Sequence, residues 1–190
     1  MQQIVISVDI RPHLVPFFYK EFEGVEASYL NKKVKACKIT LKSSLGIMIM
    51  SALEKVDYLE KEKKIDRFYL YLTLPEIPDA PRGKIYQCVS GKNSFLKVPQ
   101  LVVDALNQIL EDQFRIAFVF SVTSAIKSAA KRGYALKLKD AFEDFMIEYE
   151  LDNYGFKLET LRRLYNREVK KNVKMHRLQN GQNNRVLRFL

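Results

Sequence analysis

Residues 99–133 read PQLVVDALNQILEDQFRIAFVFSVTSAIKSAAKRG, and they divide the chain in two. From Pro99 onward the pattern is helical. Val102, Ala105, Leu106, Ile109 and Leu110 recur at spacings of three and four, the period of an amphipathic helix. Residues 114–126, bounded by Phe114 and Ile126, are apolar almost all round, which suits a centrally buried helix or a subunit interface. Lys131 and Arg132 oppose the negative end of the helix dipole, and Gly133 supplies the left-handed residue that commonly closes a helix.

Upstream of this stretch the period is mainly that of strands. Ile4, Ile6 and Val8 alternate within residues 3–9, which reads as a strand. Pro12 and Pro16 fit the first turn of a short helix carrying Leu14, Val15, Phe17, Phe18 and Phe22, ended by Gly24. A second strand is expected over 34–41. Ser43 or Ser44 caps a helix running to about Val56, with Leu45, Met48, Ile49, Ala52, Leu53 and Val56 on one stripe. The charged run 60–64 is a solvated link. Residues 67–74, RFYLYLTL, make the strongest strand signal of the chain, ended by Pro75. The PEIPDAPRG segment reads as an ordered turn or short loop. Short strands over 84–89 and 94–98, joined by Ser90-Gly91-Lys92-Asn93, form an expected hairpin.

Downstream, Asp140 and Glu143 resemble a capping box that starts a helix burying Phe142, Phe145, Met146 and Tyr149. The turn LDNYGF (151–156) leads to a last helix over about 157–172. At 100° per residue, Leu158, Leu161, Leu164, Tyr165 and Val169 fall on its inner face, and Arg162, Arg163, Asn166, Arg167, Lys170 and Lys171 on its outer one. The polar QNGQNN follows, then RVLRFL, which suits an edge strand or packing on a partner. The expected fold is α+β: a small mixed or antiparallel sheet with helices in an N-terminal body (1–98), one or more central apolar helices (99–134), a helix-turn-helix-like unit (135–172) and a basic tail (173–190).

The charge is unevenly placed. Residues 156–190 carry ten Lys and Arg against Glu159 and Glu168, a net of +8, whereas the whole chain carries +10. Clustered cations displace counterions from a phosphate backbone and attract it whatever its sequence, so this end points to nucleic acid. Arg pairs with guanine O6 and N7, Asn with adenine N6 and N7, and Lys with phosphates. Arg162, Arg163, Asn166 and Arg167 are therefore the expected major-groove readers. Lys170, Lys171, Lys174, Arg177, Arg185 and Arg188 are the expected phosphate contacts. The turn is about six residues long, where the standard motif uses three or four.

Enzymatic patterns are weak. His13 and His176 have no sequence-local carboxylate or thiol to form a base and nucleophile pair, and no CxxC or HExxH occurs. His13 reads as a helix-end or surface histidine. Residues 90–94 do not make a phosphate loop, because Asn93 stands where Ser or Thr is needed and Tyr86 where Gly is needed. Asp9, Glu21, Glu23, Asp79 and Asp104 remain candidates to gather round Mg²⁺ in a nuclease. Cys37 and Cys88, both in apolar β-like runs, suit reduced core thiols and a cytosolic setting. The N-terminus does not resemble a signal peptide, and the longest uncharged stretches, 43–53 and 116–126, are too short for a membrane span.

These features predict a non-catalytic double-stranded DNA-binding protein, regulatory or architectural, with no cofactor and no metal. A homodimer centred on residues 114–126 would match a palindromic site. Two alternatives stand beside it: an assembly or protein-interaction component of a phage or mobile element, and a single-stranded nucleic acid or RNA binder that stacks bases on Tyr69, Tyr71 and Tyr86 near Lys84.

Overall fold

The computed structural model describes residues 3–29, 32–40, 42–56, 69–75 and 95–170. They form an α+β protein that divides into two compact units, residues 1–107 and 108–190. The division falls inside one long helix, α3 (Gln100–Lys131), later than the change of period at Pro99.

The first unit is built on a mixed four-stranded sheet. Its strands are β1 (Gln3–Asp9), β2 (Val25–Tyr29), β3 (Lys32–Lys38) and β5 (Tyr69–Pro75), in the order β1-β5-β3-β2. β5 pairs antiparallel with β1, setting Leu72 opposite Ile6, and parallel with β3, setting Leu72 opposite Cys37. Ile6, Val8, Ala36, Cys37 and Leu72 are buried there with Leu14, Val15, Phe17 and Phe18 of α1 (Leu14–Glu21). The alternation read in residues 3–9 is therefore the alternation of a sheet with a covered face. β2 was not expected. Its sequence, VEASY, is largely exposed and forms the far edge of the sheet, so it lacks a strong apolar alternation. Two further strands, β4 (Glu54–Val56) and β6 (Phe95–Lys97), form a separate antiparallel pair.

Two local expectations are not met. α1 does not end through a left-handed glycine: the positive φ, 47°, belongs to Glu23. Gly24 instead gives room, since a Cβ there would sit 2.7 Å from Lys35 Cε and 2.8 Å from Tyr19 Cδ1. The helix α2 (Ser44–Ala52) starts as expected, with Ser43 Oγ accepting from the Gly46 N–H at 3.0 Å. It stops before Val56, however, because Leu53 turns extended and Glu54–Val56 pair with β6. Helical spacing over 45–56 was overridden by strand pairing that sequence periodicity does not register. β6 thus has β4 as its partner, and the expected hairpin strand at 84–89 lies outside the described residues, as do the link at 60–64 and the turn at 76–83.

One helix side chain closes the first unit. Asn107 Oδ1 accepts from the Arg11 N–H at 3.0 Å, and its Nδ2 donates to the carbonyls of Asp9 at 2.9 Å and Val103 at 3.0 Å. Backbone groups at and just beyond the end of β1 are thus met by this one amide. His13 occupies the N-cap of α1 and is buried, so it is a helix-end residue but not a surface one.

The second unit is helical throughout its described length: the rest of α3, then α4 (Leu138–Glu148), a 3-10 turn (Leu151–Tyr154) and α5 (Leu158–Lys170). α3 ends as its sequence indicates, with Gly133 at φ 82° and the Tyr134 N–H donating to the Ala129 carbonyl at 3.2 Å. The capping box does not form. α4 begins earlier, with Lys137 at the N-cap, which leaves Asp140 inside the first turn. An acid is favourable there through the helix dipole, without acting as the cap.

The core of this unit is aromatic. Phe114 meets Phe145 and Phe156 edge-on with ring centres 5.8 and 5.9 Å apart, and Phe118 meets Phe145 at 4.9 Å and Tyr165 at 6.2 Å. Edge-to-face pairs at such distances add to the burial of large apolar area. α3 is not covered all round, however. Phe114, Phe118 and Val122 face inward, whereas Ile109, Ile116 and Phe120 are exposed, Phe120 by 70%.

Candidate nucleic-acid interface

α5 owes its orientation to the turn before it. Leu151 and Phe156, at the two ends of LDNYGF, are both buried, and the Phe156 N–H donates to the Leu151 carbonyl at 3.1 Å. Gly155 between them adopts φ 74° and Glu150 φ 50°, so the chain reverses through two left-handed residues. The extra length of the turn is thus ordered as a 3-10 turn anchored in the aromatic core. Phe142 of α4 and Tyr165 of α5 then meet with ring centres 5.3 Å apart.

The inner face of α5 holds Leu161, Leu164 and Glu168, all buried, with Leu158 and Tyr165 half-buried at its margin. Val169 is not on that face as its hydrophobicity suggests; it is 48% exposed. Glu168 takes the central inward position instead and is fully buried. Its Oε1 lies 3.7 Å from Arg115 Nη1, and the Arg115 Nε donates to Glu111 Oε1 at 2.9 Å. The three charges form a buried line that ties α5 to α3. A charged residue four positions after Leu164 on an apolar face was the available sequence signal, together with Glu111 and Arg115 flanking the apolar stretch of α3.

The outer face presents the expected readers. Arg162 and Arg163 have side chains 68% and 75% exposed, and Asn166 is exposed as well. Arg167 is half-buried at the margin. Glu159 sits among them: its Oε1 accepts from Arg163 Nε at 3.3 Å and its Oε2 lies 3.8 Å from Arg162 Nη1. In the sequence Glu159 counts only towards net charge; its place beside Arg162 and Arg163 comes from the helical spacing of three and four. Lys170 is the last residue of α5. Lys171, Lys174, Arg177, Arg185, Arg188 and His176 lie outside the described residues.

Other candidate chemistry does not assemble among the described residues. Asp9, Glu21, Glu23 and Asp104 come into no group of three or more His, Cys, Asp or Glu residues suited to a metal among the described residues, and Asp79 lies outside them. Tyr69 and Tyr71 occupy alternate positions of β5, a strand inside the sheet, opposite Asp9 and Ser7 of β1. Tyr86, Lys84 and Cys88 lie outside the described residues. Cys37 is buried, with its S–H donating to the Phe18 carbonyl at 3.8 Å. Burial pushes its thiol up from 9.0 to about 12, with the Lys35 charge pulling the other way. It is a core thiol and a poor nucleophile at neutral pH. No helix among the described residues is long and apolar enough to cross a membrane. Comparisons with family models, curated proteins and solved structures found no match to this chain.

Proposed function

We propose that this is a non-catalytic protein of the cytosol that binds double-stranded DNA through α5, as a regulator or an architectural protein. The observation that supports this reading is the outer face of α5, where Arg162, Arg163 and Asn166 are exposed together on a helix whose other face is held by a packed core. Two helices joined by an anchored turn, the second bearing guanidinium and amide groups on its free side, make the outline of a recognition helix for the major groove. Arg167, at the margin of that face, joins these readers, and Lys170 and the tail cations Lys171, Lys174, Arg177, Arg185 and Arg188 then act on phosphates. The buried thiol of Cys37 suits the reducing compartment.

A homodimer belongs to the same reading. Ile109, Ile116 and Phe120 are spaced by seven and four along the free side of α3, the spacing by which one helix packs against an identical one. A two-fold pair of chains offers two copies of α5 to a palindromic duplex.

The test is fluorescence anisotropy of the whole protein with labelled random duplex, single-stranded DNA and RNA at two salt concentrations. Tightest binding to duplex is expected. If six cations meet phosphates, log affinity should fall against log salt with a slope of about −5. Replacing Arg162 and Arg163 together by Ala should weaken duplex binding at least about tenfold. Absence of duplex binding at low salt, or tighter binding to a single strand, overturns the reading.

A further inference from the structure

The outer face of α5 carries an acid, Glu159, in its first turn, where the helix dipole favours it, but among cations that would hold a polyanion better without it. Glu159 repels the phosphates that Arg162 and Arg163 attract, and its side chain is 56% exposed. Exposed ion pairs three or four residues apart on a helix contribute little to folding stability. They bear instead on the direction of the Arg163 side chain. The Arg163 Nε is committed to Glu159 Oε1 at 3.3 Å, which leaves the two terminal nitrogens of that guanidinium outside the bond. A guanidinium whose plane is held in this way is ready to take guanine O6 and N7 together, whereas an unrestrained arginine must lose rotamer freedom to do so.

We infer that Glu159 is the specificity-determining residue of this face: it holds Arg163 for a guanine and makes α5 a reader of base sequence instead of a clamp on phosphates. This rests on the duplex-binding reading above. Asn166 lies three residues on, a rise of about 4.5 Å along the helix against about 3.4 Å for one base-pair step and about 6.8 Å for two. Its amide complements adenine N6 and N7. The preferred site should therefore place a guanine and an adenine in neighbouring base pairs.

The experiment uses the full chain, its Glu159→Gln variant and its Arg163→Lys variant. A preferred duplex is selected by the wild type from a randomised pool, and each protein is then titrated with that duplex and with a scrambled one at a single salt concentration. The ratio of the two affinities is read, because loss of one negative charge raises affinity for both duplexes alike. The wild type should prefer its selected duplex at least about tenfold, with a guanine next to an adenine in the consensus. Glu159→Gln should lose most of that ratio while binding scrambled duplex at least as tightly, and Arg163→Lys should lose it with its charge retained. An unchanged ratio in Glu159→Gln overturns the inference while duplex binding stands, as does a wild type that selects no sequence. A wild type that binds no duplex at low salt removes the underlying reading as well.

Discussion

Arg115 lies between two carboxylates in the interior of the second unit, with Glu111 at 2.9 Å and Glu168 at 3.7 Å. Taking three charges from water is costly, and their mutual attraction in a low-dielectric interior offsets that cost only when the set is complete. Arg115→Met removes the cation between two buried acids and should destabilise the protein by about 3–5 kcal/mol, read as a large fall in denaturation midpoint. Replacing all three by apolar residues of similar volume should recover most of that loss, and a triple variant as unstable as the single one would show that the line does more than satisfy its own charges. Cys37 gives a second prediction at this scale. Its thiol titrates at about 12 when folded against 9.0 when free, so the neutral form is the one the fold favours. The contribution is complete below pH 9.0 and is lost as pH rises through about 12. Stability followed by denaturant midpoint should fall over that window, and a Cys37→Ala variant should show a smaller fall.

At the scale of elements, caps and turns set where helices begin and which way they point. Ser43→Ala removes the acceptor of the Gly46 N–H and should cost about 1 kcal/mol, measured by denaturant unfolding. Gly155 has open space for a Cβ but a φ of 74°, so Gly155→Ala should cost about 1–2 kcal/mol through backbone strain alone. Because that turn orients α5, the variant should also lose duplex affinity, which the Ser43 variant should keep. What was legible in the sequence follows the same division. Regular apolar periods indicated β1, β5, α3 and the packed side of α5, and where a long element such as α3 or α5 buries one face the period is plain. β2 and β4 were hidden because edge strands and three-residue pairings are decided by a partner far along the chain, not by their own composition. On the candidate site, Arg162, Arg163 and Asn166 were legible from charge and helical phase. Glu159 and Glu168 were legible as charges but not as roles, since identical side chains serve one to pair with arginines at the surface and the other to meet one inside.

For the whole molecule, the free side of α3 carries the prediction. If Ile116 and Phe120 pair with a second copy, light scattering at high concentration should give twice the chain mass, and Ile116→Glu with Phe120→Glu should return it to the monomer without loss of helicity. A monomer at all concentrations removes the dimer and leaves a single α5 per complex. The sheet of the first unit has a consequence of another kind. β5 sits between β1 and β3, yet it follows both in the chain. As the polypeptide leaves the ribosome, β1 and the β2–β3 hairpin emerge with the strand that joins them still to be made. For that interval each offers an unpaired edge to the other chains of a polysome. Synthesis speed through the residues preceding Tyr69 therefore bears on yield, and slowing the ribosome there should lengthen the time in which nascent chains can stick to one another.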